Sequence, residues 1–279
     1  MDLSIQEKHF FSKLSYFLPE EFKSYRGKLI TELGQFLSVE RMSKMENVVK
    51  KRSRHVLTVF ENTQHAHNIS AVIRSVDTFG FLDLFFVYSN PTIRFRAADN
   101  IDRGASQWLF PKRLSSIKAC AEVLKQNNYK IAVVSLPDFS RTSQNYITQL
   151  PSFSCADFEK DEFHNFVQDE KIALIFGSEL LGVSQEWNEF ADMYVHVDMF
   201  GFTESLNVSV CAGIILHSLR QCFENHKKNI LLTELETQLV FEHWIAKDYT
   251  NARQYIANRQ PELLPWFEFV RGGKFFSVL

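Results

Sequence analysis

The sequence predicts an α/β protein: a mostly parallel sheet with helices on both faces, flanked by helical extensions at both ends. Three observations predict it. From residue 56 onward, apolar runs of strand length alternate with stretches of helical periodicity, the order of βαβ units. The helical pattern at 68–79 stops at Gly80, and a new apolar run begins two residues later. Residues 1–54 and 234–259 carry helical periodicity without a strand-like run.

Taken in order, Phe10, Leu14, Phe17 and Leu18, then Leu29, Leu33, Phe36 and Leu37, recur near helical spacing, with Pro19 and Gly27 as punctuation. VLTVFE at 56–61 reads as a strand, and NTQHAHN as a polar turn into the helix at 68–79. Residues 82–88 form a second strand, and 108–110, just before Pro111, a third. Ser115 is a cap for a helix reaching Asn127. Residues 130–136, 171–176 and 194–197 are further strands. A helix follows at 205–223, with Ser205 as its cap, and another at 234–259. The polar stretch 137–170 reads as a long surface connection, and the tail after Pro261 as aromatic-rich with a Gly272–Gly273 turn. The domains expected are 1–54, 55–225 and 226–279.

Composition sets limits on class. Hydrophobic residues make up 45% and charged residues 23% of 279, enough apolar material for a core, which excludes wholesale disorder. Only 10 glycines and 7 prolines exclude collagen-like and low-complexity chains. The longest apolar stretch, 208–216, is about half of what a membrane helix needs, and the N-terminus has no basic cluster before an apolar core. No membrane anchor or signal peptide is expected, and the cytoplasm is the expected compartment. Cys120, Cys155, Cys211 and Cys222 lack C-x-x-C spacing, so reduced thiols are expected rather than disulfides or a zinc site.

A net charge of −2 carries no global nucleic-acid signature. Its distribution is uneven. Arg41, Lys44, Lys50, Lys51, Arg52 and Arg54 stand against Glu46 alone, and Asp157, Glu159, Asp161, Glu162, Asp169 and Glu170 against Lys160. The basic segment is either a phosphate contact or a solvated helix face.

Three segments concentrate polar residues in apolar surroundings. HNISAVIRSVDTFG (67–80) holds Asn68 and Arg74; IFGSELLGVS (175–184) holds Gly177, Glu179 and Gly182; MFGFTESLNVSVCAGIILHSL (199–219) holds Ser205 and Asn207 ahead of an apolar helix. Each has an ordinary structural explanation: Arg74 in a salt bridge to Asp77 or Glu61, Glu179 as a helix N-terminal acid, Asn207 as a cap. The Gly177–Gly182 spacing is that of a phosphate loop, but Val183–Ser184 follow where lysine is required. There is no G-x-G-x-x-G or G-x-S-x-G. His65 and His67 have no third ligand by spacing and read as turn histidines; His217 reads as a core or interface residue.

Together and in this order, HNISAVIRSVDTFGF, IALIFGSELLGVS and ESLNVSVCAGIIL resemble the SpoU class of the SPOUT superfamily of RNA 2′-O-ribose methyltransferases. The resemblance spans residues 56–223. Within the class the chain looks most like the branch that methylates the D-loop guanosine (guanosine-18) of tRNA. The resemblance implies a C-terminal trefoil knot, an obligate homodimer and S-adenosylmethionine held by Val134, Leu136, Gly177, Val197, Met199, Ser205 and Leu206. It makes Arg74 the catalytic arginine, as a phosphate-assisted base or as a phosphate clamp, and has Asn68, Glu179, Ser205 and Asn207 shape the site. No metal is implied. RNA contacts are expected from Lys50, Lys51, Arg52, Arg54, Arg220, Arg253 and Arg259. Departures from the pattern are Asp198 where proline is usual, and Leu180–Leu181 in place of a Lys–aromatic pair. Ribosomal RNA as substrate, and a non-catalytic RNA-binding protein, are the alternatives.

Overall fold

Seven strands form one sheet in the computed structural model of the chain, which describes residues 18–63, 65–88, 104–136 and 150–273. They are β1 (Ser53–Glu61), β2 (Phe81–Val87), β3 (Phe110–Leu114), β4 (Tyr129–Val134), β5 (Ser152–Ser154), β6 (Lys171–Phe176) and β7 (Met193–His196), in the order β3-β2-β1-β6-β4-β7-β5. The pairs β1–β6, β4–β6, β4–β7, β5–β7 and β2–β3 are all parallel. Every residue of β2 is buried, as are 172–176 of β6. Alternate strand residues face opposite sides, so both faces of the sheet are covered, as a parallel sheet requires.

The helices of this unit are α3 (Ala66–Thr78), α4 (Ile117–Gln126), α5 (Asp161–Val167) and α6 (Val208–Asn225), preceded in the chain by α1 (Lys28–Gly34) and α2 (Val39–Val49). α3 stops where Gly80 takes φ +81°, a conformation that costs glycine little. It packs on α6, whose small residues serve that contact: a methyl on Gly213 would stand 3.7 Å from Ser75 Oγ. The chain divides into two compact units, 54–230 and a second made of 1–53 with 231–279. In the second, α1 and α2 accompany α7 (Glu234–Asp248), α8 (Ala252–Arg259) and α9 (Leu264–Arg271). The terminal regions that the sequence separates therefore belong to one unit. Its centre is Glu242, whose carboxylate accepts from the Gly27 backbone N–H and from Trp266 Nε1.

Several boundaries differ from expectation. The third strand is 110–114, and Trp108 lies in the preceding 3-10 turn. Pro111 is tolerated because β3 is an edge strand. The cap of α4 is Ser116, which accepts from Ala119 N at 3.1 Å, not Ser115. The cap of α6 is Asn207, not Ser205. The helical pattern at 234–259 breaks at Tyr249, which is extended. Residues 150–170 are not an irregular connection: β5, a 3-10 turn (Cys155–Glu159) and α5 bury Phe153, Phe158, Phe163 and Val167. The Ser154–Asp157 capping box that starts this stretch was readable as S-x-x-D. The periodicity at Phe10, Leu14 and Phe17 and residues 137–149 lie outside the described residues. Among the described residues, no helix is long and apolar enough to cross a membrane.

Candidate active site

A cavity of about 500 Å³ opens beyond the carboxyl ends of β4, β6 and β7, where parallel sheets present loops to ligands. Its walls come from three stretches: 133–136 after β4, 176–183 after β6, and 197–208 between β7 and α6. Val134, Leu136, Gly177, Val197, Met199, Ser205 and Leu206, the residues expected to hold a cofactor, all line it.

The loop after β6 is closed on itself. Ser178 and Gly182 exchange both backbone hydrogen bonds, at 3.0 and 2.9 Å, and Ser178 Oγ accepts from Leu181 N at 3.2 Å. Gly182 has φ +68°. A Cβ on Gly177 would lie 2.0 Å from the Gly182 carbonyl carbon, so only glycine permits this closure. Thr63 Oγ1 donates toward the Gly177 carbonyl at 3.3 Å, and the Tyr88 hydroxyl to the Thr63 carbonyl at 2.9 Å. Glu61, 2% exposed, accepts the Ser184 backbone N–H at 2.9 Å and anchors the far end of the loop.

One polar residue from each sequence segment joins at the edge of this cavity: Glu179 and Asn207 line it, and Asn68 bonds both. Asn68 Nδ2 donates to Glu179 Oε1 at 2.8 Å, and Asn207 Nδ2 donates to Asn68 Oδ1 at 3.1 Å. Asn207 Oδ1 accepts in turn from Ser209 N at 2.9 Å and Ser209 Oγ at 2.6 Å. This relay joins α3, the β6 loop and α6, and it fixes both amide orientations, because each amide donates and accepts. Ser209 in this relay, and Glu61 at the far end of the β6 loop, are the unforeseen participants in the site. Ser209 carried a signal, as the second residue after an N-cap asparagine; Glu61 carried none beyond its place at a strand end. Ser205 stands at the cavity wall outside the relay.

Arg74 is exposed on α3, forms no ion pair or hydrogen bond among the described residues, and does not line the cavity. The alternative salt bridge to Glu61 is thus absent, since Glu61 serves Ser184. Lys50, Lys51 and Arg259 are exposed. Arg253 is exposed and paired with Glu268 at 2.6 Å, and Arg220 is half-buried and paired with Glu224 at 2.8 Å. Arg52 and Arg54 correct the expectation of phosphate contacts. Arg52 is 3% exposed and lies over the Trp244 ring at 5.3 Å; Arg54 is 4% exposed and meets Asp83 at 2.7 and 3.2 Å. Asp198 is exposed, 3.6 Å from His196 Nε2, and His217 lies against Phe79. All four cysteines are free.

The model of the SpoU rRNA Methylase family matches residues 55–217, more than half of the chain. A curated tRNA (guanosine(18)-2′-O)-methyltransferase from Borreliella burgdorferi is 27% identical over 234 residues, 83% of this chain and 95% of that one. Its counterpart from Aquifex aeolicus is 27% identical over 225 residues, 79% and 96% of the two chains. Among solved structures, the A. aeolicus TrmH/SpoU tRNA modifying enzyme superposes with a TM-score of 0.60 at 25% identity, over 75% of this chain and 96% of that one.

Proposed function

The chain belongs to the SpoU rRNA Methylase family, and from that premise we propose that it methylates a ribose 2′-hydroxyl of RNA, the D-loop guanosine-18 of tRNA, with S-adenosylmethionine as donor. The observation that carries this reading is the Glu179–Asn68–Asn207–Ser209 relay at the mouth of a cavity shared by three separate stretches of chain. The relatives that match along most of their length carry that activity in their names. A tRNA substrate puts the working compartment in the cytoplasm.

The cavity fits the donor chemically. Val134, Leu136, Val197, Met199 and Leu206 offer apolar walls to an adenine, strand-end backbone groups offer hydrogen bonds, and Glu179 brings a carboxylate to a sulfonium. When bound, S-adenosylmethionine supplies an electrophilic methyl group. What the protein must add is an oriented, activated hydroxyl. The Asn68–Asn207 pair holds Glu179 in one position, so that the donor and acceptor array facing the substrate is preorganised. Arg74 cannot serve as a base while guanidinium stays protonated. Its role is to grip an RNA phosphate and stabilise the developing alkoxide.

Because Arg74 stands off its own cavity, we assign it to the cavity of a second copy, in a homodimer. Val210, Ile214 and His217 form an exposed stripe on α6 at helical spacing, and Phe202 nearby in the chain is fully exposed, apolar surface that a second subunit would cover. The trefoil knot and the helical extensions, residues 1–54 and 226–279, belong to the same proposal; the knot's support is the convergence of 133–136, 176–183 and 197–208 on one cavity. The test is methylation of total tRNA lacking ribose methyl groups, using labelled S-adenosylmethionine and mapping of the modified nucleotide. Label on the D-loop guanosine is the expected result. Unlabelled tRNA together with labelled ribosomal RNA overturns the substrate, and no label in either overturns the reaction.

A further inference from the structure

The far end of α6 from the cavity carries a second cluster of chemically capable side chains. Cys222 and His226, four residues apart, project from one face of its last turn, and His164 on α5 meets them. One ligand atom from each of the three lies within 4.8 Å of the others. Cys222 Sγ is 3.7 Å from His164 Nε2, and the two imidazole rings are 3.6 Å apart between centroids. From Val208 to Cys222 the helix rises roughly 20 Å, so this cluster is separate from the methyl-transfer site.

The geometry is that of a metal site before contraction. With Zn–S near 2.3 Å and Zn–N near 2.0 Å, a tetrahedral zinc centre has an S···N edge of about 3.6 Å, close to the Cys222–His164 separation. His226 Nδ1 lies 3.0 Å from the Cys222 carbonyl oxygen, a bond that orients the ring and leaves Nε2 for a ligand. Glu159 Oε2 is 3.6 Å from the same Nδ1, and Asn225 Nδ2 donates to Glu159 Oε1 at 3.1 Å. Cys222 is fully buried whereas His226 is exposed, which gives an ion an entry path. Burial, reinforced by Glu159, pushes the Cys222 thiol up to about 12. The thiol is therefore protonated without an ion, with Phe158 O as acceptor at 3.1 Å.

We propose that His164, Cys222 and His226 bind a zinc ion, with Glu159 supplying adjacent negative charge, and that the ion fastens α5 and the 155–159 turn to the end of α6. Thiolate and imidazole donors in tetrahedral arrangement select zinc over hard cations. Binding releases the Cys222 proton to solvent. The sequence concealed the site because its ligands are 58 residues apart, with none of the familiar cysteine pairs.

The test is a titration of the full chain, stripped with chelator, with Co²⁺ and then Zn²⁺. Stoichiometric Co²⁺ uptake with a thiolate-to-cobalt charge-transfer band and tetrahedral d–d bands, bleached by Zn²⁺, is expected. Cys222→Ser should abolish the charge-transfer band. His226→Ala, at an exposed helix end, keeps the fold and should weaken Co²⁺ affinity by about 10-fold or more. No charge-transfer band in the wild-type chain overturns the proposal. So does a band that persists in Cys222→Ser, or unchanged affinity in a folded His226→Ala.

Discussion

Gly177 shows how little freedom the cavity loop has. A methyl there meets the Gly182 backbone at 2.0 Å, and backbone cannot swing aside as a side chain would. Gly177→Ala is expected to destabilise the chain by about 1–3 kcal/mol, read by denaturant melts, and to reshape the cavity wall. Asn68 is the central residue of the relay, since it alone bonds both Glu179 and Asn207. Asn68→Ala should lower single-turnover methylation on the order of 10²-fold with little change in melting temperature. An unchanged rate would remove the relay from the mechanism. The three polar positions were readable as motifs, and their individual structural explanations were equally readable. Contacts between residues 111 and 139 positions apart join them, while Asn207 also caps α6.

At the scale of elements, β1 and β2 are joined by a buried ion pair. Arg54 reaches Asp83 on the neighbouring strand through Nε and Nη2, and neither side chain is more than 4% exposed. The Tyr129 hydroxyl adds a bond to the Arg54 carbonyl at 2.8 Å. Asp83→Ala would leave a guanidinium buried without its carboxylate and should cost about 3–5 kcal/mol, measured by urea unfolding. The basic segment that looked uniform in sequence thus divides. Arg52 and Arg54 point inward, whereas Lys50 and Lys51 stay in water. If the latter touch tRNA, Lys50→Glu with Lys51→Glu should weaken binding and flatten its dependence on salt by nearly the two counterions those charges release. An unaltered salt slope would make them a solvated helix end. Spacing predicts that a run of cations exists; only the turn at residues 50–52 determines which of them face water.

At the scale of the whole molecule, buried titratable groups make the stability of one unit depend on pH. In the unit of both termini, burial pushes Glu242 up to about 8 from 4.5, against the hydrogen bonds from Gly27 and Trp266, while burial holds His243 near 3 instead of 6.5. A carboxyl with a raised folded-state pKa stabilises most when protonated, and that contribution is lost as pH rises toward 8. A histidine with a depressed folded-state pKa stabilises above 6.5 and loses that contribution as pH falls. Between pH 4.5 and 6.5 the histidine opposes Glu242; above 6.5 Glu242 is joined up to about 7 by Glu236, which burial raises from 4.5, and from there to 8 it acts without either. Stability of this unit should therefore fall over that upper range by on the order of a kcal/mol per pH unit, and Glu242→Gln should flatten the fall. A melt series against pH, with hydrogen exchange to assign the unit, checks it.

Sequence alone determined the class of the molecule. Local periodicity, glycine stops and three ordered motifs are short-range properties, and they place strands, helices and polar side chains without reference to the rest of the chain. The resemblance also named seven residues that line one cavity, at the edge where the strand ends of a parallel sheet converge. Tertiary structure alone decided which groups touch. It put Arg54 on Asp83 rather than outward, turned residues 150–170 into packed structure around their phenylalanines, and brought His164 to Cys222 and His226. The physical reason is range. A side chain's burial and partners depend on atoms dozens of residues away, and no window of sequence contains them.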